Sequence, residues 1–239
     1  MTICLMPLKI DVGDPVANMQ RIERILPNLL SKSPDLICFP ECTLTGYLFE
    51  GDDLNKFGET IPGPTTKKIG AIAKENDVQL CFGLIERTSE GFYNSAVLIN
   101  EVGEIVVKYR KINEKPPYLQ GGSFFSFPFN GKRCGLIICG DLFYHGVNDW
   151  LDETFSLLLV LMSRGFPDDS PNIKEWENIE KQIYVDRVKE LGVRSLFVNA
   201  LEINVESGSF GGAFVIDSNG MFLKESPHGT DKPLYWDPP

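Results

Sequence analysis

Short apolar runs of strand length recur along the chain, separated by polar stretches that carry Gly, Pro, Asn or Asp. Runs of this kind, bounded by turn residues, are typical of buried strands. The pattern predicts strands at residues 2–8, 36–39, 78–85, 93–99, 105–109, 124–129, 133–138, 155–162, 195–199, 212–216 and 221–224. The turn sequences at 100–103 and at Asn130-Gly131 predict two hairpins.

Other segments carry apolar residues at helical spacing. Residues 18–30 have them every three or four positions, which indicates an amphipathic helix. Thr65, which follows a Pro-Gly-Pro breaker, predicts the cap of a helix that runs to about residue 76. Ser170-Pro171 has the form of a helix start, and the periodic positions that follow it end at Gly192.

Strands and helices therefore alternate, with hairpins in the middle of the chain. This order predicts an α/β protein with mixed sheets covered by helices. No Pro/Ser-rich linker or charge block divides the sequence, so we expect one domain over residues 1–239. The Pro-rich segment from about residue 226 predicts an extended tail that lies on a neighbour or in solvent.

Charge and composition narrow the choice of partners. The chain has a formal net charge of −10, whereas nucleic acids and anionic membranes attract Lys- and Arg-rich surfaces, so we expect neither partner. The chain has neither a signal-peptide pattern nor an apolar run of the roughly 20 residues that span a bilayer, which favours a cytoplasmic protein with reduced thiols. The six cysteines and two histidines do not have metal-site spacing, so we expect no metal.

Cys139 is the first candidate for chemistry. The apolar run Leu136-Ile137-Ile138 leads directly into Cys139-Gly140-Asp141. Ligands bind at the carboxyl ends of strands in open α/β sheets, so a thiol at this place is a candidate nucleophile. A buried cysteine that acts only as a small apolar side chain is the alternative, and it stays open at this point.

Glu41 and Lys111 stand at similar places, each just past the end of a predicted buried strand. A free thiol is mostly protonated at neutral pH, and a nearby carboxylate can take its proton. A lysine, helped by the backbone N–H of Gly140, can stabilise the oxyanion that forms when a carbonyl is attacked. Taken singly, Lys111 could also lie on a solvated strand edge, and Glu41 could cap a helix or turn.

Three local sequences resemble the motifs of one family. Phe39-Pro40-Glu41 with Thr45-Gly46-Tyr47 resembles the first-glutamate motif of the nitrilase, or carbon–nitrogen hydrolase, superfamily. Tyr109-Arg110-Lys111-Ile112 resembles its lysine motif, and residues 135–141 resemble its nucleophile motif. The motifs occur in the family's order and the resemblance covers nearly the whole chain, so the chain is identified as a member.

This resemblance implies a four-layer α-β-β-α sandwich that pairs with a second copy of the chain through its helices. It implies hydrolysis of a non-peptide C–N bond, with Cys139 as nucleophile, Glu41 as general base and then acid, and Lys111 as oxyanion stabiliser. It implies no metal and no organic cofactor. Gly140-Asp141 resembles the amidase-type branches, so we expect a small amide to give a carboxylic acid and ammonia through a thioester.

The resemblance also implies residues that bind the substrate. Relatives carry a second glutamate in the loop after the lysine, and the glutamate of that loop here is Glu114. Gly140 would supply its N–H, and the loops near Tyr47, Tyr144 and Ser163 would shape the pocket.

Other functions stay open at this point. Within the superfamily, the substrate could be an N-carbamoyl compound or a nitrile. The chain has Gly146 where many relatives have a glutamate and Ala213 where they have a serine, so a catalytically silent interaction protein of the same fold is a further alternative. A Cys–His hydrolase would have to use His145, for which the sequence offers no evident orienting partner.

Overall fold

The structure, a computed structural model, describes residues 2–166, 172–202 and 208–237. Its strands are β1 (Ile3–Leu5), β2 (Leu36–Cys38), β3 (Gln79–Arg87), β4 (Phe92–Ile99), β5 (Ile105–Arg110), β6 (Tyr118–Leu119), β7 (Phe125–Phe129), β8 (Lys132–Ile138), β9 (Phe155–Met162), β10 (Ser195–Asn199), β11 (Ala213–Ile216), β12 (Phe222–Glu225) and β13 (Leu234–Trp236). Its α-helices are α1 (Pro15–Leu30), α2 (Gly51–Phe57), α3 (Pro64–Asn76), α4 (Gly146–Trp150), α5 (Ile173–Glu175) and α6 (Lys181–Leu191). The helix start predicted at Ser170-Pro171 lies outside the described residues.

The described strands form two mixed sheets. The first has the order β13-β1-β2-β3-β4-β5, with β6 paired to β4, and the second has the order β12-β11-β10-β9-β8-β7. In the first sheet β1, β2 and β3 are parallel, and β4 and β5 follow as antiparallel strands. In the second sheet β8, β9 and β10 are parallel, and hairpins add antiparallel strands at both sides. The prediction of mixed sheets is confirmed.

Alternating side chains separate the layers. Along β1, Ile3 and Leu5 belong to the apolar core between the sheets, whereas Cys4 packs with side chains of α1 and α3. Successive side chains of a strand point to opposite faces, so a strand that is apolar throughout is buried on both faces. Each fully buried Leu or Ile contributes about 1.5–3 kcal/mol.

The helix at 15–30 begins earlier than the apolar spacing predicts. Asp14 is its N-cap, Oδ1 of Asp14 accepts a hydrogen bond from the backbone N–H of Ala17 at 3.0 Å, and Pro15 occupies the first turn. The prediction that Thr65 caps the next helix is wrong, because Pro64 opens α3 and Gly63 precedes it as the cap. Proline is favoured at the first helical position, which moves the cap one residue back.

The fourth layer is a helical segment that begins as α5, widens into a π-helical stretch (Trp176–Glu180) and continues as α6. Trp176, Tyr184 and Val188 belong to the apolar core that includes the second sheet, and Gly192 ends the segment at a φ of +67°. Helices thus cover both outer sheet faces, and the α-β-β-α sandwich is confirmed.

The C-terminal tail lies on its own chain. Residues 234–236 form β13, which pairs antiparallel with β1, and Leu234 is buried. The hydroxyl of Tyr235 donates to the carbonyl of Leu29 at 3.1 Å. The tail was expected on a neighbour or in solvent; instead, its alternating apolar residues cover the edge of the first sheet, whose N–H and C=O groups need partners.

Within the described segments, none of the helices combines the length and the apolar character that a membrane crossing requires.

The topology brings three strand ends to one place. β3 is parallel to β2, and β5 is antiparallel to β4, which is itself antiparallel to β3. The carboxyl ends of β2 and β5 therefore lie at the same end of the first sheet. Glu41 and Lys111 follow these ends, and Cys139 follows the end of β8 in the facing sheet.

Candidate active site

Glu41, Lys111 and Glu114 form a buried charged cluster. Nζ of Lys111 lies 2.9 Å from Oε1 of Glu41 and 3.2 Å from Oε2 of Glu114, and all three side chains are less than a tenth exposed. Buried charges are rare unless they are paired. One ammonium therefore compensates two carboxylates.

The charge of Lys111 is secured by its neighbours. Burial by itself would lower the pKa of the Lys111 ammonium, but the neighbouring acidic groups, Glu41 first and Glu114 among them, outweigh burial and raise the pKa. Lys111 Nζ also lies 5.2 Å from the centre of the Tyr47 ring. Lys111 therefore remains a cation at neutral pH and can stabilise an oxyanion.

Two further donors hold the carboxylate of Glu41. Nδ2 of Asn94 donates to Oε1 of Glu41 at 2.7 Å and to Oε2 of Glu114 at 2.9 Å. The backbone N–H of Ser163 donates to Oε2 of Glu41 at 2.8 Å. Both oxygens of Glu41 are thus engaged, which fixes the plane of the carboxylate.

Tyr47 binds the second carboxylate. Its hydroxyl donates to Oε1 of Glu114 at 2.6 Å, and the backbone N–H of Lys115 donates to the same oxygen at 3.0 Å. Glu114 is the glutamate predicted from the loop after Lys111, and it lies within the cluster. Its role as a second catalytic glutamate stays a prediction.

Cys139 opens a tight 3-10 turn (Cys139–Phe143) directly after β8. Its backbone φ is +43°, in the left-handed region that L residues seldom adopt. A non-glycine residue held in such a conformation costs about 1–3 kcal/mol and must be over-determined by its surroundings. Cys139 is partly exposed.

The Cys139 thiol interacts electrostatically with Glu41 and Lys111 of the cluster. Burial and then the charge of Glu41 raise its pKa, Lys111, the Ser163 backbone N–H and Arg164 lower it, and the net result is a pKa of about 12. The resting sulfur is therefore a thiol at neutral pH. Such a group needs a base when it acts as a nucleophile.

Asp141 ties the Cys139 turn to the Lys111 loop. Its carboxylate accepts hydrogen bonds from the Tyr109 hydroxyl at 2.5 Å and from the backbone N–H groups of Ile112 at 3.1 Å and Asn113 at 2.7 Å. Burial raises the pKa of Asp141 to about 6, and these donors oppose the rise. Asp141 is fully buried. It belongs to the turn that begins at Cys139, and it accepts hydrogen bonds from the loop after Lys111, so it joins the two chain segments that carry the thiol and the ammonium.

The remaining predicted residues lie around this cluster. Gly140 follows the thiol, and its carbonyl accepts from Nδ2 of Asn113 at 3.0 Å. Tyr144 packs against Phe124 and His145, with ring centres 6.4 and 4.4 Å apart. His145 is exposed.

Sequence reasoning missed several residues of the site. Asn94, Asp141, Ser209 and Glu202 are all less than a tenth exposed, and all are polar. The positions of two of these residues in the sequence could have revealed them. Asn94 and Asp141 lie in or next to otherwise apolar strands, where a buried polar group needs a hydrogen-bond partner. Among the described residues, no group of three or more His, Cys, Asp or Glu side chains is arranged to hold a metal ion.

Fold and site together define a class: an α-β-β-α sandwich that brings a thiol, a carboxylate and an ammonium to one end of its two sheets. The sequence profile described as carbon-nitrogen hydrolase matches residues 3–237, so the chain belongs to that family and is a carbon–nitrogen hydrolase.

Known proteins support this assignment. An (R)-stereoselective amidase from a Pseudomonas species is 27% identical over 219 residues, which cover 90% of this chain and 76% of the amidase. A formamidase from Bacillus cereus is 38% identical over 107 residues, but the match spans only 44% of this chain and 30% of the formamidase.

The fold also recurs in a solved structure. A mutant of the amidase from Nesterenkonia sp. AN1 superposes with a TM-score of 0.80 at 19% identity, covering 100% of this chain and 90% of that one. In that protein the acetamide moiety of fluoroacetamide is covalently added at the active-site cysteine.

Proposed function

We propose that the protein hydrolyses a small amide to a carboxylic acid and ammonia through a thioester on Cys139. The observation that carries the proposal is the electrostatic coupling of the Cys139 thiol to Glu41 and Lys111, which bond to each other at 2.9 Å. The amidases and formamidase that resemble the chain act on amides by their names, and one amidase of the same fold carries the acetamide moiety of fluoroacetamide on its active-site cysteine.

The first half of the reaction forms the thioester. Glu41 takes the thiol proton while the sulfur of Cys139 bonds to the amide carbon and the carbonyl electron pair moves onto oxygen. Lys111 and the N–H of Gly140 stabilise that oxyanion. Glu41 then returns its proton to the amide nitrogen, the C–N bond breaks, and ammonia leaves.

The second half releases the acid. Water gives a proton to Glu41 while its oxygen bonds to the acyl carbon, and Lys111 again stabilises the oxyanion. The C–S bond breaks, and Cys139 recovers the proton as the carboxylic acid leaves. Glu114 shares Lys111 with Glu41, and we assign it the holding of the ammonium and of the substrate's polar end.

The test is ammonia release from a panel of small aliphatic amides, dicarboxylic monoamides and carbamoyl amino acids. We expect turnover of at least one amide by the wild-type protein and none by Cys139→Ala. Cys134→Ala is the matched control, because this buried thiol lies on β8 and its contact is the Lys132 carbonyl. Equal ammonia release from wild-type and Cys139→Ala protein would contradict the proposal.

We also propose that two copies of the chain pair through the outer helical segment. Its support is a set of exposed apolar side chains, Ile173, Ile179 and Ile183, which are 51, 50 and 44% exposed. Contiguous exposed apolar side chains mark interaction surfaces. Sedimentation velocity should give a dimer for the wild-type protein and a monomer for Ile179→Glu/Ile183→Glu. The control is Val102→Glu, at an exposed turn in the first sheet.

We infer a cytoplasmic location from the thiols. The six cysteines are unpaired, and the proposed chemistry needs Cys139 reduced. Cell fractionation tests this location, and recovery of the protein with an oxidising compartment would contradict it.

A further inference from the structure

A further buried carboxylate, Glu202, lies beside the active site and has no role in the mechanism above. It is 6% exposed, and Glu41 is among the charges that influence it. Its Oε2 accepts hydrogen bonds from the backbone N–H of Ser209 at 3.1 Å and from the hydroxyl of Ser209 at 3.0 Å. Its Oε1 lies against Gly46, where a Cβ would come within 3.0 Å of that oxygen, and the backbone N–H of Tyr47 also acts on the carboxylate.

Ser209 connects this carboxylate to Ser163. The two hydroxyl oxygens lie 2.7 Å apart, and Ser209 is 2% exposed. Ser163 is partly exposed, and its own backbone N–H reaches Oε2 of Glu41 and influences the Cys139 sulfur. Hydrogen bonds therefore connect Glu202 through the Ser209 hydroxyl to the Ser163 hydroxyl, and the backbone N–H of Ser163 bonds to Glu41.

Counting the hydroxyl hydrogens of Ser163 and Ser209 gives the direction of the hydrogen bond between them. A serine hydroxyl has one hydrogen to donate and two lone pairs to accept with. The hydrogen of Ser209 is committed to Glu202, so Ser163 must be the donor in the contact between the serines. A proton on Oε1, the oxygen of Glu202 that does not bond to Ser209, would leave this direction unchanged.

The consequence falls on Ser163. Because its only hydroxyl hydrogen points to Ser209, its oxygen offers only lone pairs to a bound substrate. Ser163 therefore cannot donate to an oxyanion, but it can accept a hydrogen bond from an N–H group.

We propose that Glu202 and Ser209 hold Ser163 as an obligate acceptor, which makes Ser163 a specificity residue for the N–H of a primary amide and against the matching ester. This inference rests on the proposed function. An ester has an oxygen without hydrogen at the place where the amide has its N–H. The lone pairs of that oxygen would face the lone pairs of the Ser163 hydroxyl oxygen, which is unfavourable. A site built around an N–H donor discriminates strongly against an analogue that lacks it.

The experiment compares kcat/KM for butyramide and methyl butyrate in the wild-type protein, Ser163→Ala, Ser209→Ala and Glu202→Gln. We expect the amide-to-ester ratio to fall about tenfold in Ser163→Ala and in Ser209→Ala, because either change removes the obligate acceptor. Glu202→Gln keeps a carbonyl oxygen that can accept from Ser209, so it should keep most of the ratio. The control is Ser195→Ala, which removes a buried hydroxyl bonded to the Val193 carbonyl and should leave the ratio within twofold.

The outcomes separate the inference from the function. A parallel fall of amide and ester turnover, with an unchanged ratio, would overturn the inference and leave the amidase proposal intact. If the wild-type protein hydrolyses neither compound, the Kd values of both for the Cys139→Ala protein, with and without Ser209→Ala, decide the matter. Tighter binding of butyramide that Ser209→Ala abolishes supports the inference, and any other binding result overturns it. If Ser209→Ala does not fold, the partly exposed Ser163→Ala provides the same ratio test.

Discussion

Gly83 lies directly behind Glu41. A Cβ built on Gly83 would come within 2.7 Å of the Cα of Glu41 and within 2.6 Å of the backbone nitrogen of Cys42. The N–H of Gly83 donates to the Pro40 carbonyl at 3.0 Å, so β3 supports the segment that carries the carboxylate. The missing side chain of Gly83 is thus what allows Glu41 to reach Lys111.

Gly83→Ala should therefore displace Glu41. Because the added methyl meets backbone atoms, we expect a loss of about 1–3 kcal/mol in the free energy of unfolding and of about 100-fold in kcat, as a small misplacement of a catalytic group costs that much. Urea unfolding and ammonia release measure the two effects. Gly51→Ala is the control, since a Cβ there meets nothing within 4 Å, and equal behaviour of the two variants would refute the steric argument.

Glu41→Gln should separate thiol acidity from turnover. Burial and then the charge of Glu41 raise the pKa of the Cys139 thiol, so removing that charge lowers the pKa and leaves Lys111 to stabilise the thiolate. We expect alkylation of Cys139 by iodoacetamide at pH 7.5 to become about tenfold faster, while amide turnover falls about 10²- to 10⁴-fold because the base is lost. Mass spectrometry of the modified protein gives the rate. The exposed Glu153→Gln is the control, and slower alkylation in Glu41→Gln would show that the coupling has the opposite sign.

Asn94→Asp should destabilise the charged cluster. The change removes two donors to Glu41 and Glu114 and adds a third buried carboxylate beside them. Hydrogen bonds to charged groups are worth about 1.5–3 kcal/mol each, so we expect a loss of about 3 kcal/mol or more at pH 7. Part of this should return at acid pH, where the introduced carboxyl becomes protonated. Urea unfolding at both pH values tests this, with the exposed turn variant Asn219→Asp as the control; a loss independent of pH would contradict the electrostatic explanation.

Asp141 should make stability depend on pH. Its pKa rises from 3.8 to about 6 on folding, because burial disfavours the charged form. The folded state therefore holds the proton more tightly than the unfolded state. This stabilisation is present below pH 3.8 and is lost as the pH rises through 6, a change of about 3 kcal/mol.

Asp141→Asn removes this titration. The difference in unfolding free energy between wild-type and Asp141→Asn protein should fall by about 2.4 kcal/mol between pH 4 and pH 7, because part of the stabilisation is already lost at pH 4. Urea unfolding across this range measures the difference, and the exposed Asp149→Asn provides the control. A difference that stays constant with pH would mean that Asp141 is not the titrating group.

Much of the fold followed from apolar patterning. The strands predicted at 155–162 and 195–199 coincide with β9 and β10, because strands buried on both faces are continuously apolar. The pattern missed α2, where Leu54 is the buried residue and Gly51-Asp52-Asp53 has the composition of a loop. It also could not predict β13, since a strand at a sheet edge depends on which edge is open.

The same distinction applies to the candidate active site, where some residues follow from sequence motifs and others are found only in the structure. Motif order located Glu41, Lys111 and Cys139, and the structure brings them together. The bond of Asn94 to Glu41 and the contact of Ser209 with Ser163 were not predicted, because the partners are remote in the chain and local sequence carries no record of such contacts.

By itself, the sequence determined the layers, the family and the identity of the reactive groups, because hydrophobic periodicity and motif spacing are local properties of the chain. Only the tertiary structure decided the distances among those groups, the pKa of the Cys139 thiol and the contact between the hydroxyls of Ser163 and Ser209. Charge interactions and desolvation depend on separation and burial in space, and these are set when distant segments pack at the same end of two sheets.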